Sequence, residues 1–175
     1  QTAKLSIRVI YFDGSGTFAA ETNEGVPCVW ASDIELDGAG CAHFSLHFPG
    51  EAKALACELG LRGVHNVSNA SAVAALAWQA GVDPARIACA LKASAPEAGR
   101  QEILQGKGEI TIINDAYNAN PDSMRASLAM FSALNVKHKR YAVLGDMGEL
   151  GSFAEACHEA VGMYAATQKL DYLIC

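Results

Sequence analysis

The sequence reads as an α/β chain in two parts, an antiparallel sheet with helices followed by a run of parallel βα units. Three observations lead to this. Between Ser32 and Gly60 apolar residues alternate with polar ones, the period of a half-buried strand. Between Gly63 and Gly81 apolar and alanine residues crowd a run of helical length, as in a helix packed within a core. After Gly99 strand-like and helix-like segments follow each other at short intervals, a pattern that gives parallel strands, right-handed crossovers and a Rossmann-like αβα sheet.

Length and composition set the bounds. A chain of 175 residues buries a real core and lies between one domain and two. The net charge of -6, with Lys and Arg scattered along the chain, excludes a surface built to coat a polyanion, so nucleic acid is not an expected partner. No apolar run approaches about 18 residues, and the opening QTAKLSIRVIYFDG lacks a signal-peptide pattern; no membrane partner is expected and the protein should be cytoplasmic. The six cysteines, Cys28, Cys41, Cys57, Cys89, Cys157 and Cys175, form no C-x-x-C pair and no metal-ligand spacing, and read as reduced thiols. The chain opens inside a strand-like run, Leu5 to Phe12, and closes on another, Leu170 to Cys175. We therefore expect a piece of a longer polypeptide.

In the first part, Ile34 and Leu36, then Ala42, Phe44, Leu46 and Phe48, then Ala52 to Leu59 give three alternating segments. Turns at Asp37–Gly40 and Pro49–Glu51 join them into an antiparallel meander. His43 and His47 are expected to face solvent, since two histidines without a third ligand do not make a metal site. In the run from Gly63 to Gly81, Gly81 ends the helix and His65, Asn66, Ser68 and Asn69 crowd its entrance. Asn66 and Asn69, three apart, share one face of the first turn. Either one of these residues caps the helix, or two adjacent amides offer donors and acceptors to the edge of a planar base. Asp83 and Pro84 open a second, short helix with Ile87 and Leu91 inward.

Ala93 to Gly99, ASAPEAG, has the composition of an interdomain linker. Beyond it come a strand over Glu102–Leu104, a hairpin turn at Gly106–Gly108, a buried β-branched strand over Ile110–Asn114, and a helix over Pro121–Leu134. A strand over Tyr141–Leu144, a helix over Phe153–Gln168 and a strand over Tyr172–Cys175 follow. The stretch ITIINDAYNANPDSM organises the chain. It is a strand whose carboxyl end carries Asn114, Asp115, Asn118 and Asn120, and open α/β sheets bind ligands at such ends. Asn120 before Pro121 caps the next helix, with Met124, Leu128, Phe131 and Leu134 inward. The loop GDMGELGS, Gly145 to Ser152, does not have the dinucleotide spacing. Ser152 and Glu155 make a capping box for a helix with Phe153, Cys157, Val161 and Tyr164 inward, and His158 reads as a solvated histidine among acidic neighbours.

Together, H-N-V-S-N-A before an alanine-rich helix, then G-R, then N-D-A-Y-N-A-N-P-D-S-M, then L-G-D-M-x-E-L-G with a downstream His and V-G, resemble the Mur ligases of peptidoglycan synthesis in order and spacing from about Ala31 to Cys175. The loop wording is similar to that of the member that adds D-alanyl-D-alanine to UDP-N-acetylmuramoyl-tripeptide. The resemblance implies that residues 1–95 are the C-terminal part of the family's central ATPase domain and residues 99–175 the N-terminal part of its C-terminal domain. It implies ATP and magnesium as cofactors and an acyl phosphate as intermediate.

By the same resemblance Asn66 and Asn69 hold adenine, Arg100 reaches the nucleotide and Asp115 accepts from the ribose hydroxyls. His65, Tyr117, Asn118 and Asn120 stand beside the cleft, and Asp146, Glu149 and His158 lie on the side where the amine enters. No catalytic residue and no metal ligand is assigned here. The sequence has no G-x-x-x-x-G-K-S/T, so the isolated chain should be inactive. Two other classes stay open: a nucleotide-binding module without chemistry, and a sister Mur or folylpolyglutamate-type amide ligase.

Overall fold

The computed structural model describes residues 9–18 and 25–175. Of the strand-like opening run, Leu5 to Arg8 lie outside the described residues. The chain divides into two compact units, Gln1–Asp37 with Cys41–Ala95, and Gly38–Gly40 with Pro96–Cys175.

In the first unit a four-stranded sheet has the order β1 (Tyr11–Asp13), β2 (Cys28–Leu36), β3 (Cys41–His47), β4 (Leu55–Arg62). β2, β3 and β4 pair antiparallel, as the alternation requires, and β1 adds a parallel edge. The third strand of the meander starts at Leu55, not Ala52, because the chain first turns through Gly50 at φ 82°. Alternation in β3 buries Ala42, Phe44 and Leu46 and turns His43 and His47 to the other face. β2 carries a bulge between Ser32 and Glu35, where Asp33 takes φ 53°.

Onto the buried face pack α1 (His65–Gln79) and α2 (Pro84–Lys92). Val67, Ala70 and Ala74 of α1, and Ile87 and Leu91 of α2, join Val29, Ala31, Leu46 and Leu59 in one core. Burial pushes the Cys57 thiol in this core up to about 11. α1 is not enclosed on all sides as its composition suggested: Val73 and Leu76 are exposed. Alanine-rich sequence secures helix, whereas burial depends on which face meets a neighbour. Asp83 caps α2 as expected, accepting from the Ala85 and Arg86 amides. At Gly60 a Cβ would land on the Ser94 carbonyl oxygen and within 2.9 Å of that of Lys92, so glycine lets β4 and the end of α2 approach at backbone distance.

The second unit begins with a hairpin of β5 (Glu102–Gln105) and β6 (Thr111–Asn114). α3 (Pro121–Ala133), β7 (Tyr141–Val143), a 3-10 turn (Gly151–Phe153), α4 (Ala154–Ala166) and β8 (Tyr172–Ile174) follow. The parallel pairing expected after Gly99 holds for β7 and β8, which flank α4. β6 pairs antiparallel with β5, as the hairpin turn at Gly106–Gly108 requires: Gly108 and Glu109 at positive φ, with Gly106 N–H donating to Ile110 O at 2.7 Å, turn the chain straight back. Ile110 and Ile112 are exposed, against the expectation of a buried strand; β-branching favours extended backbone, but burial needs a layer packed on the face. A small core joins Leu128, Ala142, Met147, Val161 and Ala165, with Met124, Cys157 and Tyr164 against it.

Asn120 caps α3 with a full capping box to Ser123. The box expected from Ser152 and Glu155 does not form. Ser152 sits inside the 3-10 turn, which runs into α4 through Phe153 at helical angles, so no extended residue is left to act as cap. Phe153, expected inward, is 71% exposed for the same reason. Among the described residues no helix is long and apolar enough to cross a membrane.

Candidate functional site

In the first unit the amide pair opens α1. Neither amide caps the helix: the N-cap is Val64, with no side-chain hydrogen bond. Instead Asn66 Nδ2 donates to the Arg62 carbonyl oxygen at 2.7 Å, and Asn69 Nδ2 donates to Asn66 Oδ1 at 3.0 Å. Since an amide oxygen cannot donate, this chain from a backbone carbonyl outward determines which way each amide points. Asn66 is half-buried and Asn69 exposed; among the described residues Asn69 Oδ1 accepts no hydrogen bond.

Both amides border a cleft of about 310 Å³ walled by Leu61, Ala70, Val73, Ala77, Ile87 and Leu91, with Arg86 and Ser94 at its rim. An apolar slot with a few oriented polar groups at one edge is the usual form of a site for a planar ring. Sequence reasoning found the amides but not the cleft or Arg86. The signal for Arg86 was its place beside Ile87 on the amphipathic face of α2. His65, at the first position of α1, is half-buried.

In the second unit the end of β6 is tied to the segment before β5. Asp115 Oδ1 accepts from Gln101 N–H at 3.1 Å, and Tyr117 N–H donates to Gly99 O at 3.0 Å. The Arg100 guanidinium lies 4.1 Å from the centre of the Tyr117 ring, a cation–π contact. Arg100, Asp115 and Tyr117 are all exposed. The structure thus brings Arg100, Asp115 and Tyr117 together at one strand end. Asn118 Oδ1 accepts from Ala119 N–H, and Asn120 is occupied as the cap of α3, so both amides serve the turn.

The third group is the loop after β7. His158 Nδ1 lies 2.7 Å from Ala154 O, and Met147 N–H donates to His158 Nε2 at 3.0 Å. Nδ1 therefore carries the proton and Nε2 accepts. This corrects the reading of a solvated histidine among glutamates: the ring pins the loop to α4 while the Met147 side chain anchors it in the core. Asp146 Oδ1 stands 3.9 Å from Nε2 with its side chain in solvent, and Glu149 is exposed at φ 59°. Among the described residues no three metal-ligating side chains cluster.

The family model described as "Mur ligase, glutamate ligase domain" matches residues 99–175. A crystal structure of MurF from Acinetobacter baumannii superposes on 95% of this chain with a TM-score of 0.78 and 30% identity, over 38% of its own length. The chain belongs to the Mur ligase family. Within that family it is 37% identical over 151 residues to the UDP-N-acetylmuramoyl-tripeptide--D-alanyl-D-alanine ligase of Mycobacterium tuberculosis, covering 83% of this chain and 29% of that protein. With the ligase of the same name from Treponema pallidum it is 43% identical over 106 residues, 61% of this chain and 22% of the other. The chain thus spans about a third or less of the length of the curated Mur ligases it matches. Its mixed α/β architecture is that of Mur ligases.

Proposed function

We propose that this chain is part of an ATP-dependent ligase that adds D-alanyl-D-alanine to UDP-N-acetylmuramoyl-tripeptide in the cytoplasmic stage of peptidoglycan synthesis. Residues up to Ala95 are the last part of the central ATPase domain, and residues from Gly99 the first part of the C-terminal domain. The observation that carries this reading is the amide chain on the rim of the apolar cleft. The Arg62 carbonyl orients Asn66, Asn66 orients Asn69, and the Asn69 oxygen is left as an acceptor suited to the exocyclic amine of adenine. Arg100 contributes positive charge for the nucleotide phosphates, and Asp115 an acceptor for the ribose hydroxyls.

In the reaction a carboxylate oxygen of the tripeptide attacks the γ-phosphorus and ADP leaves. The dipeptide amine then attacks the acyl carbon, phosphate leaves and the amine gives up a proton. Among the described residues no three metal-ligating side chains cluster, so no residue of this chain is assigned as a magnesium ligand. The loop at Asp146 and Glu149, held by His158, is proposed to border the amine, with Tyr117 beside Arg100 and His65 beside the amide pair. Without a phosphate loop in its sequence, the chain alone is proposed to release no phosphate from ATP.

The test is an ADP-release assay of the complete polypeptide with UDP-N-acetylmuramoyl-tripeptide. ADP release dependent on D-alanyl-D-alanine supports the reading. Release with single amino acids instead points to a sister amide ligase, and nucleotide binding without turnover to a binding module.

A further inference from the structure

We infer that Glu102, through its carboxylate, is the positioning residue that holds Arg100 and Asp115 in one arrangement for the nucleotide. This rests on the assignment of those two residues to the nucleotide site.

One oxygen of Glu102, Oε2, accepts from Gly99 N–H at 3.0 Å and from Asn114 Nδ2 at 3.1 Å. Gly99 directly precedes Arg100, and Asn114 directly precedes Asp115. Glu102 and Asn114 are also opposite each other in the β5–β6 register. The carboxylate therefore joins the two backbone segments that carry the charged side chains, one residue behind each of them. Around it the backbone takes left-handed angles: Gly99 has φ 72°, which glycine adopts freely, and Gln101, although not glycine, has φ 52° with its residue 8% exposed.

A non-glycine residue in the left-handed region persists where neighbours hold it. Here the restraints converge on Glu102 from one side and on Asp115, which accepts from Gln101 N–H, from the other. Arg100 is oriented in turn by the Tyr117 ring, and Tyr117 N–H by Gly99 O. Without the Glu102 carboxylate, Gly99 N–H and the Asn114 amide lose their common acceptor, and the segment carrying Arg100 is held less firmly to the end of β6, where Gln101 N–H to Asp115 and Tyr117 N–H to Gly99 O still act. Hydrogen bonds to a charged acceptor are among the stronger ones in proteins.

The test is made in the complete ligase, with KM for ATP, KM for D-alanyl-D-alanine and the melting temperature measured together. Glu102→Ala should raise KM for ATP by roughly ten-fold and leave KM for the dipeptide within about two-fold. Glu102→Gln, which keeps an acceptor oxygen, should restore most of the ATP affinity. Asn114→Ala should raise KM for ATP as well, and adding it to Glu102→Ala should cost little more, because the bond between these two side chains is already gone.

An ATP KM that does not move in Glu102→Ala overturns the inference, as does an equal rise in both KM values or a failure of glutamine to rescue. Should Glu102→Ala not fold, Asn114→Ala decides on the same terms. Arg100→Ala separates the two levels of the argument: if it too leaves ATP binding intact, the nucleotide assignment itself is wrong. If it weakens ATP binding while Glu102→Ala does not, only the role of Glu102 falls.

Discussion

Asp115→Asn and Asp115→Ala divide the two jobs this carboxylate can hold. In the structure Oδ1 accepts from the amide of Gln101, a residue only 8% exposed, and the side chain is otherwise open to solvent. Asparagine keeps an acceptor oxygen for that amide but loses the charge; alanine loses both. If the carboxylate also accepts from a ribose, losing the charge-assisted contact costs about 1.5 to 3 kcal/mol, or roughly ten- to a hundred-fold in ATP affinity. Losing the hydrogen bond from Gln101 N–H to this charged acceptor costs a further ~1 to 3 kcal/mol of stability. At roughly 2 to 8 °C per kcal/mol across domains of ordinary size, that is a clear loss in melting temperature.

The expected outcome in the complete ligase is that Asp115→Asn melts close to the parent and binds ATP at least about ten-fold more weakly, while Asp115→Ala shows both defects. Isothermal titration with ATP beside a melting curve measures the two effects separately. Asp115→Asn binding ATP as the parent does would refute the reasoning and leave Asp115 as the cap of a strand end.

Asn66→Ala removes the residue that orients Asn69, so the preference for ATP over inosine triphosphate should narrow by about an order of magnitude, since a free amide can turn its NH2 toward a 6-oxo group; an unchanged ratio in a competition assay would contradict this. Burial lowers the affinity of His47 for a proton, against a smaller opposing effect of Asp33, while its ring stacks 3.5 Å from that of Trp30. With the folded value below the unfolded one near 6.5, the unfolded chain takes the proton first, so stability present above about pH 6.5 is lost as the pH falls through the window beneath it. Melting curves from pH 7.5 to 5 should therefore fall more steeply for the parent than for His47→Gln, and parallel curves would remove His47 as the cause. Gly60→Ala should destabilise the first unit by on the order of 3 kcal/mol or more, because backbone atoms of Ser94 and Lys92 stand where the Cβ would be; a urea melt within about 0.5 kcal/mol of the parent would show that α2 can move aside.

What the chain wrote locally could be read locally. Ala42, Phe44 and Leu46 alternate, so β3 and its buried face follow from a period of two. Asp83 before Pro84 and Asn120 before Pro121 place short acceptors against free helix amides, and both caps form. Asn66 and Asn69, three apart on a helix, meet because the helix itself brings them together.

Other features were settled only once distant segments met. Exposure of Ile110, Ile112 and Phe153 depended on what lies over each face, which no propensity records. His158 found a backbone N–H eleven residues away, at Met147, and Glu102 found Asn114 across a hairpin. Every residue but proline carries a backbone N–H, so no sequence pattern marks which one a side chain will take. The cleft beside Asn66 and Asn69 likewise exists only where α1, α2 and β4 come together, because a cavity is a property of the space between elements and belongs to none of them alone.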